Sequence, residues 1–431
     1  MSDIRVLDVS LSGRSVGTLT LLPGDRTLFA FSQAYIDNPG RPTLSLSFKD
    51  SLGGLITDTG LHRARLPPFF SNLLPEGVLR EYLAKRAGVH PQREFFLLRI
   101  LGRDLPGAIT VEAADGSPGF GESKGSEDGA GVLPEMALRF SLAGVQLKFS
   151  AVMETAGGLT IPAQGTGGSW IVKLPSMKYP NVPENEFAMM EMARAIGIDV
   201  PEVRLVPLKE IDGLPKEVSS MVSGEGEAVN ALAVKRFDRE KDGKAVHMED
   251  FAQVFGVYPE KKYERASYRN IAEVLSAETG EAGVTEFVRR LVFSALIGNA
   301  DMHLKNWSLI YPDGVTAALS PGYDFVSTIA YLPDTKVALT LGRTKEMTDL
   351  SVNQLTYFAA KARLSEKVVL DASRETAERF MEIWTARNWS RRPSPDVYVK
   401  IDALLARIPL LREFGLRTPR AGAAMRLPAR P

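Results

Sequence analysis

The 431-residue chain contains no cysteine. That excludes disulfides, thiolate nucleophiles, iron–sulfur clusters and cysteine-ligated zinc, and leaves the redox compartment open. Histidine is scarce, with His62, His90, His247 and His303 the only four. Net charge is missing too: 52 Lys and Arg balance 52 Asp and Glu, so no global field draws the chain to nucleic acid or membrane, although local patches remain open. Nor is there a long hydrophobic run. The longest strongly apolar stretch near a helix, Leu291–Gly298, falls far short of the ~18–20 residues of a membrane span. Met1–Arg5 carries charge and no apolar leader core, so a cytoplasmic, soluble protein is expected. What is present, 44% hydrophobic and 24% charged residues, places the chain with ordinary globular proteins. The length is enough for roughly two to four domains of about 100–200 residues.

Short alternating runs, Ile4–Ser10, Gly17–Leu22 and Leu28–Phe31, are bounded by Gly, Pro and Asp and predict an antiparallel sheet with one buried face. Helices are expected over Pro67–Ala87 and Glu94–Leu101, giving a small α+β N-terminal domain over 1–114. Residues 115–134 hold six glycines among small polar residues and read as a flexible linker. Strands then recur at Gln146–Met153, Ser169–Leu174 and Leu232–Phe237, with a helix over Glu186–Ile196 capped by Gly197. From Glu286 onward helices dominate: Phe287–Ile297, Val352–Ala362, Val368–Asn388 and Val397–Arg407. They are interrupted by strands around Trp307–Tyr311 and Thr316–Leu319, joined by the Pro312-Asp313-Gly314 turn. The fold class is α+β: a β-rich N-terminal domain, a mixed α/β lobe over 135–238, a mainly helical lobe over 239–410 and a basic tail over 411–431. A β-rich lobe followed by a helical lobe is an arrangement that holds a ligand in a cleft.

Four segments carry chemistry. Asn299-Ala300-Asp301-Met302-His303-Leu304-Lys305-Asn306 follows an apolar helix, and Gly322-Tyr323-Asp324-Phe325 comes after the hairpin. An Asp in such a loop can take the proton of an attacking hydroxyl, while an Asn five positions on and a second Asp can hold Mg²⁺ against triphosphate oxygens. The same residues also serve as an ordinary helix-capping loop. Ser141-Leu142-Ala143-Gly144-Val145-Gln146-Leu147-Lys148 has the small residues and lysine of a phosphate-covering loop, without Walker A spacing; an ordinary turn before a strand would look alike. Lys173 stands in the apolar strand Trp170–Leu174, where it must snorkel or meet a negative group: a nucleotide phosphate, or Glu184 or Glu186 on the following helix. Ala231–Arg239 is an apolar strand running into charge, either an edge strand or a hinge whose backbone meets a purine. In sequence order these pieces match the layout of a protein-kinase-like fold.

Together they resemble the HipA-type serine/threonine kinase toxins of bacterial type II toxin–antitoxin modules, over nearly the whole chain. The resemblance rests on Ser141–Lys148, Ile171–Pro175, Arg236–Arg239, Asp301-x-His303-x-Lys305-Asn306 and Tyr323-Asp324. In the N-terminal part it rests on Phe69-Phe70-Ser71-Asn72-Leu73-Leu74-Pro75-Glu76-Gly77. It implies ATP and Mg²⁺ as cofactors, Asp301 as catalytic base, and Asn306 and Asp324 as metal ligands. ATP contacts would come from Ala143, Gly144, Val145, Gln146, Leu147, Lys148 and Lys173. The backbone of Lys235, Arg236 and Phe237 would meet the adenine, and His303, Lys305, Asn306, Tyr323 and Asp324 would complete the site. Ser141 would be autophosphorylated, which inactivates the kinase; a doubly charged phosphate on that loop would repel ATP. The implied substrate is a protein serine, on an aminoacyl-tRNA synthetase. The implied partner is a HipB-like helix-turn-helix antitoxin dimer, through which the complex reaches operator DNA and becomes nucleoid-associated. Two features depart from the pattern: Lys235 stands where the best-known relative carries an acidic residue, and the glycine-rich 115–131 stretch has no counterpart. From Arg407 on, six arginines face Glu413 alone, so this tail would either touch DNA directly or simply be solvated. A small-molecule or lipid kinase and a non-catalytic corepressor are the alternatives. The former lacks a membrane anchor or lipid-binding face, and the latter need not keep Lys173, Asp301, Asn306 and Asp324 together.

Overall fold

The computed structural model describes residues 5–114, 148–153, 159–160, 168–176, 178–214, 229–386, 389 and 393–419. The chain forms two compact units, each assembled from separated segments. Met1–Pro183, Pro201–Arg265 and Leu304–Pro321 make the first; Glu184–Val200, Ala266–His303 and Gly322–Pro431 make the second.

The first unit begins with β1 (Val6–Leu11), β2 (Arg14–Leu22), β3 (Arg26–Phe31), β4 (Leu61–Arg63) and β5 (Ile109–Ala113) in an antiparallel sheet ordered β4-β3-β2-β1-β5. Alternation along β1 buries Leu7, Val9 and Leu11 with Leu19 and Phe29 against Phe69, Phe70, Phe95 and Leu98, as the period-two pattern requires. At Gly17 a Cβ would lie 2.2 Å from the Ala30 carbonyl oxygen of the next strand, so only glycine fits. The helix expected over Pro67–Ala87 is two helices, Pro68–Ser71 and Gly77–Arg86. Pro75 has no N–H for a continuous helix, and Gly77 adopts φ +54, so Asn72–Glu76 forms a connector instead.

A second sheet follows, built from β6 (Lys148–Met153), β7 (Leu159–Thr160), β8 (Trp170–Lys173), β9 (Val203–Pro207), β10 (Ile211–Asp212) and β11 (Asn230–Lys235). Its order is β10-β7-β6-β8-β11-β9, and one face carries a core of Ala151, Trp170, Val172, Ala231 and Ala233. The predicted hairpin is present as β13 (Ser308–Tyr311) and β14 (Ala318–Leu319). It gains an unforeseen partner, β12 (His247–Asp250), on its other side. His247-Met248-Glu249-Asp250 is too polar to read as a buried strand, yet Glu249 is fully buried. There it accepts hydrogen bonds from the Ser45 and Tyr311 hydroxyls and the Leu46 N–H.

The second unit is mainly helical. Helices Gly280–Leu296, Val352–Lys361, Glu366–Ala386 and Pro395–Leu405 sit where the pattern put them, give or take their ends. Tyr268–Glu278, closed by a Ser267–Asn270 capping box, was not anticipated, nor was the hairpin β15 (Lys336–Leu341) and β16 (Thr344–Glu346). Aromatic rings tie the long helices together: Phe293 to Phe380, Phe380 stacked on Trp384, and Trp384 stacked on Tyr398 at 4.2 Å. Helix Val182–Ala195, which runs almost entirely in this unit, ends before Gly197 at φ +91, the expected cap.

Candidate active site

Strand register decides which side chains share a face of the second sheet. Lys148 pairs with Lys173, which pairs with Leu232; two residues along, Ser150 pairs with Ile171, which pairs with Val234. Paired residues in antiparallel strands project to the same side. The face opposite the apolar core therefore carries one row of Lys148, Lys173 and Leu232, and beside it a row of Ser150, Ile171 and Val234. Two residues of strand separate the rows by about 7 Å. Like charges placed directly opposite one another are unfavourable, and Lys173 is only 9% exposed. A row with two lysines is chemistry that suits a phosphate group. Ser141 and Ala143–Leu147 lie outside the described residues, and Lys148 is the first described residue after them.

The mixed row leads into Lys235–Arg239, the segment expected from the sequence to act as a hinge. The N–H groups of Lys235 and Arg236 donate to the Glu202 and Ser169 carbonyls, at 2.8 and 2.9 Å, so those two donors are committed within the fold. The Arg236 side chain is buried against Asp238 and Asp104. Arg239 binds the same two carboxylates, and Asp238 also accepts the Gly107 N–H at 2.8 Å. Burial pushes the Asp238 carboxyl up, but Arg236, Arg239 and Gly107 together hold it below the usual range. The charged side chains of the hinge motif thus anchor the Asp104–Gly107 loop. Beside the hinge lies a cleft of 720 Å³ bordered by Pro201, Glu202, Lys235 and Phe237.

The Asp301–Asn306 loop crosses the boundary between units after His303. In the first unit, Leu304–Asn306 forms a 3₁₀ turn with Asn306 8% exposed. The Lys305 ammonium lies 2.9 Å from Glu76 Oε1, donates to the Asn72 carbonyl at 3.0 Å, and stands 3.9 Å from Asp250. Lys262 binds the other oxygen of Glu76 at 2.9 Å. Burial would raise the Glu76 carboxyl, but the two ammonium groups outweigh it and hold it at about 2. Asp250 caps helix Phe251–Val254 through a capping box with Gln253, and its burial raises it to about 6.

In the second unit, Asn299 is fully buried at the head of the loop. Its Oδ1 accepts the Asp301 N–H at 3.0 Å, and its Nδ2 donates to the Asp324 carbonyl at 3.3 Å. One side chain thereby links the backbones of both predicted aspartates. The His303 N–H turns back onto the Asp301 carbonyl at 2.7 Å, and the buried Tyr268 hydroxyl holds the Met302 carbonyl. Asp324 adopts φ +57, a left-handed conformation that non-glycine residues seldom take and that functional positions often show. Phe325 behind it is fully buried, edge-on to Phe293 at 5.2 Å, and Tyr323 in front lies near the buried Arg290. Asn185 clamps the following segment by accepting the Ser327 N–H and donating to the Ser327 carbonyl.

The first unit thus brings Lys148 and Lys173 together on a face that leads to the hinge, and holds Lys305 and Asn306 in one turn. The second brings Asp301 and Asp324 together through Asn299, with His303 and Tyr323 beside them in the chain. Sequence reasoning assigned no role to Asn299, Asn185, Asn72 or Glu76. All four lay within or beside quoted motifs, but their partners are distant in sequence. Among the described residues no group of three or more His, Cys, Asp or Glu side chains is assembled for a metal ion.

Comparison with known proteins bears directly on these features. The family described as HipA-like C-terminal domain matches residues 140–384, and the HipA N-terminal domain matches residues 7–112. The protein Y4dM of Sinorhizobium fredii, whose name calls it a kinase, is 56% identical over 96% of this chain and 100% of its own length. The serine/threonine-protein kinase toxin HipA of Shewanella oneidensis is 27% identical over 75% of this chain and 76% of its own. A solved structure of the Shewanella oneidensis HipA, HipB and operator DNA complex superposes with a TM-score of 0.71 at 23% identity. It covers 95% of this chain and 98% of the other, which shows a shared fold.

Proposed function

The chain belongs to the HipA family, and from that premise we propose that it is a serine/threonine-protein kinase toxin of a type II toxin–antitoxin module. The observation that carries the catalytic part is the register of Lys148 against Lys173. Two ammonium groups opposed on one face, one row from the hinge-leading row of Ile171 and Val234, fit the phosphates and base of ATP.

In the reaction, Lys148 and Lys173 hold the phosphates while the Lys235–Phe237 backbone meets the adenine through groups other than the Lys235 and Arg236 N–H, which bind Glu202 and Ser169. Asn306 and Asp324 would hold Mg²⁺, with phosphate oxygens completing its shell. That ion would supply positive charge to offset the charge that develops on the transferred group. Asp301 orients a substrate serine hydroxyl and accepts its proton as the oxygen bonds to the γ-phosphorus. The bond to the bridging oxygen breaks and ADP leaves. Asn299 supports this role by fixing the backbone of Asp301 relative to that of Asp324.

The serine acted on belongs to an aminoacyl-tRNA synthetase, so that translation stops and growth arrests. Autophosphorylation at Ser141 silences the enzyme. A HipB-like helix-turn-helix antitoxin dimer binds it and carries it to operator DNA. The Shewanella relative's kinase-toxin name and its complex with HipB and DNA support the toxin and antitoxin parts of this reading. No helix among the described residues is long and apolar enough to cross a membrane, and we place the protein in the cytoplasm, on the nucleoid when antitoxin-bound. Induced expression should arrest growth and Asp324→Ala should relieve the arrest, with phosphoproteomics after induction identifying the substrate. Equal toxicity of the two proteins would remove Asp324 from the mechanism.

A further inference from the structure

Glu76 stands outside every motif that phosphoryl transfer requires, yet its carboxylate closes a ring around the Leu304–Asn306 turn. Oε1 binds Lys305 and Oε2 binds Lys262, each at 2.9 Å. The backbones of those two segments are themselves joined, because the Leu304 N–H donates to the Lys262 carbonyl. The Asn72 carbonyl holds Lys305 from the same connector. Asn72 in turn is tied down by its amide, which donates to the Pro68 and Val257 carbonyls at 2.9 and 2.8 Å. The next residue after Lys305 is Asn306.

We infer that Glu76 is a positioning residue for the kinase reaction: acting through Lys305, it sets the 3₁₀ turn that presents the Asn306 amide to the metal. This rests on the kinase reading above. The physical reason is charge. With Glu76 ionised, two ammonium groups share one carboxylate and the turn is drawn tight. Without that charge, Lys262 and Lys305 face each other as like charges across one hydrogen bond, with the Asp250 carboxylate 3.9 Å from Lys305. Repulsion then displaces the turn, and Asn306 moves with it. The Asn72–Glu76 connector, made by breaking what the sequence pattern suggested was one helix, is therefore a working part of the catalytic loop.

The test uses the full chain and reads Mg²⁺ dependence rather than activity alone. Label incorporation from ATP is measured across a Mg²⁺ series, and Mn²⁺ binding is measured by electron paramagnetic resonance with a non-hydrolysable ATP analogue. Glu76→Gln is expected to raise the half-saturating metal concentration about tenfold, which corresponds to about 1.4 kcal/mol. It should leave metal-free nucleotide affinity close to wild type while lowering the urea midpoint, because two ammonium groups lose the carboxylate they share. Adding Lys262→Met removes the repulsion and should restore most of the metal affinity, a rescue that a merely structural contact would not give. An unchanged metal requirement in Glu76→Gln, or a loss that Lys262→Met does not repair, overturns the assignment. If wild type incorporates no label, the kinase reading fails, and the Mn²⁺ measurement still decides the role of Glu76.

Discussion

Lys148 and Lys173 are directly opposed across neighbouring strands. Cross-strand pairs of like charge oppose one another by roughly 0.2–1 kcal/mol. Replacing Lys148 by Met should weaken ATP binding. Stabilisation by saturating ATP, about 2.7 kcal/mol at a hundredfold excess over Kd, should shrink in the variant, and denaturation with and without ATP reads the loss. Each lysine was legible as a phosphate ligand from its own motif, beside plainer readings, and the resemblance favoured that role. Their opposition was not, because register depends on which strands pair, and that is fixed by residues elsewhere.

Glu249 offers a second test at the residue scale. Burial raises its carboxyl from 4.5 to about 7, against hydrogen bonds from Ser45, Tyr311 and Leu46. The folded state thus holds the proton more tightly than the unfolded chain does. Its contribution is complete below pH 4.5 and is lost as pH rises toward 7. Glu249→Gln cannot ionise, so between pH 5 and 8 its stability should gain on wild type by on the order of 2 kcal/mol. His247, lowered to about 4, is present in both proteins and drops out of the difference, whereas the adjacent Asp250 carboxyl is one of the groups that raise Glu249 and titrates together with it. Paired urea titrations at the two pH values check this, and a constant difference would mean that Glu249 keeps an ordinary carboxyl.

At the scale of elements, the helices of the second unit were largely readable, because each buries a stripe at 3.6-residue spacing, as Val369, Ala372, Thr376, Phe380 and Trp384 do. What the pattern missed was stabilised from afar. β12 carries a buried glutamate satisfied by Ser45 and Leu46, some two hundred positions away, and by Tyr311 on the neighbouring strand, and the connector at Asn72–Glu76 is held by Lys262 and Lys305. The candidate site divides in the same way. Asp301, Asn306 and Asp324 were visible by spacing, whereas Asn299 and Asn185 become functional candidates only once their partners are known. Asn185→Ala leaves the Ser327 N–H and carbonyl without their partner and should cost about 2–3 kcal/mol, measurable by denaturant unfolding. Asn299→Asp keeps the acceptor for the Asp301 N–H and loses the donor to the Asp324 carbonyl. Its transfer rate should fall while metal-free ATP affinity stays near wild type, as titration with a fluorescent ATP analogue would report.

For the whole molecule, the absence of cysteine and of net charge narrowed the chemistry to carboxylate, amide and lysine groups, and phosphoryl transfer uses those. Family membership agrees with the motifs at both ends of the chain, 7–112 and 140–384. Of the arginine-rich end, Arg407, Arg412 and Arg417 are exposed, and Arg420, Arg426 and Arg430 lie outside the described residues. The glycine-rich 115–134 stretch lies outside them as well. No sequence pattern names the target serine, because a kinase reads its substrate through surface complementarity rather than through a short catalytic motif. The most direct measurement is therefore transfer itself: full-length wild type and Asp301→Ala incubated with Mg²⁺ and γ-labelled ATP, followed by phosphopeptide mapping. The wild type should acquire one phosphate at Ser141 and Asp301→Ala essentially none; equal labelling of the two proteins would contradict catalysis by this loop.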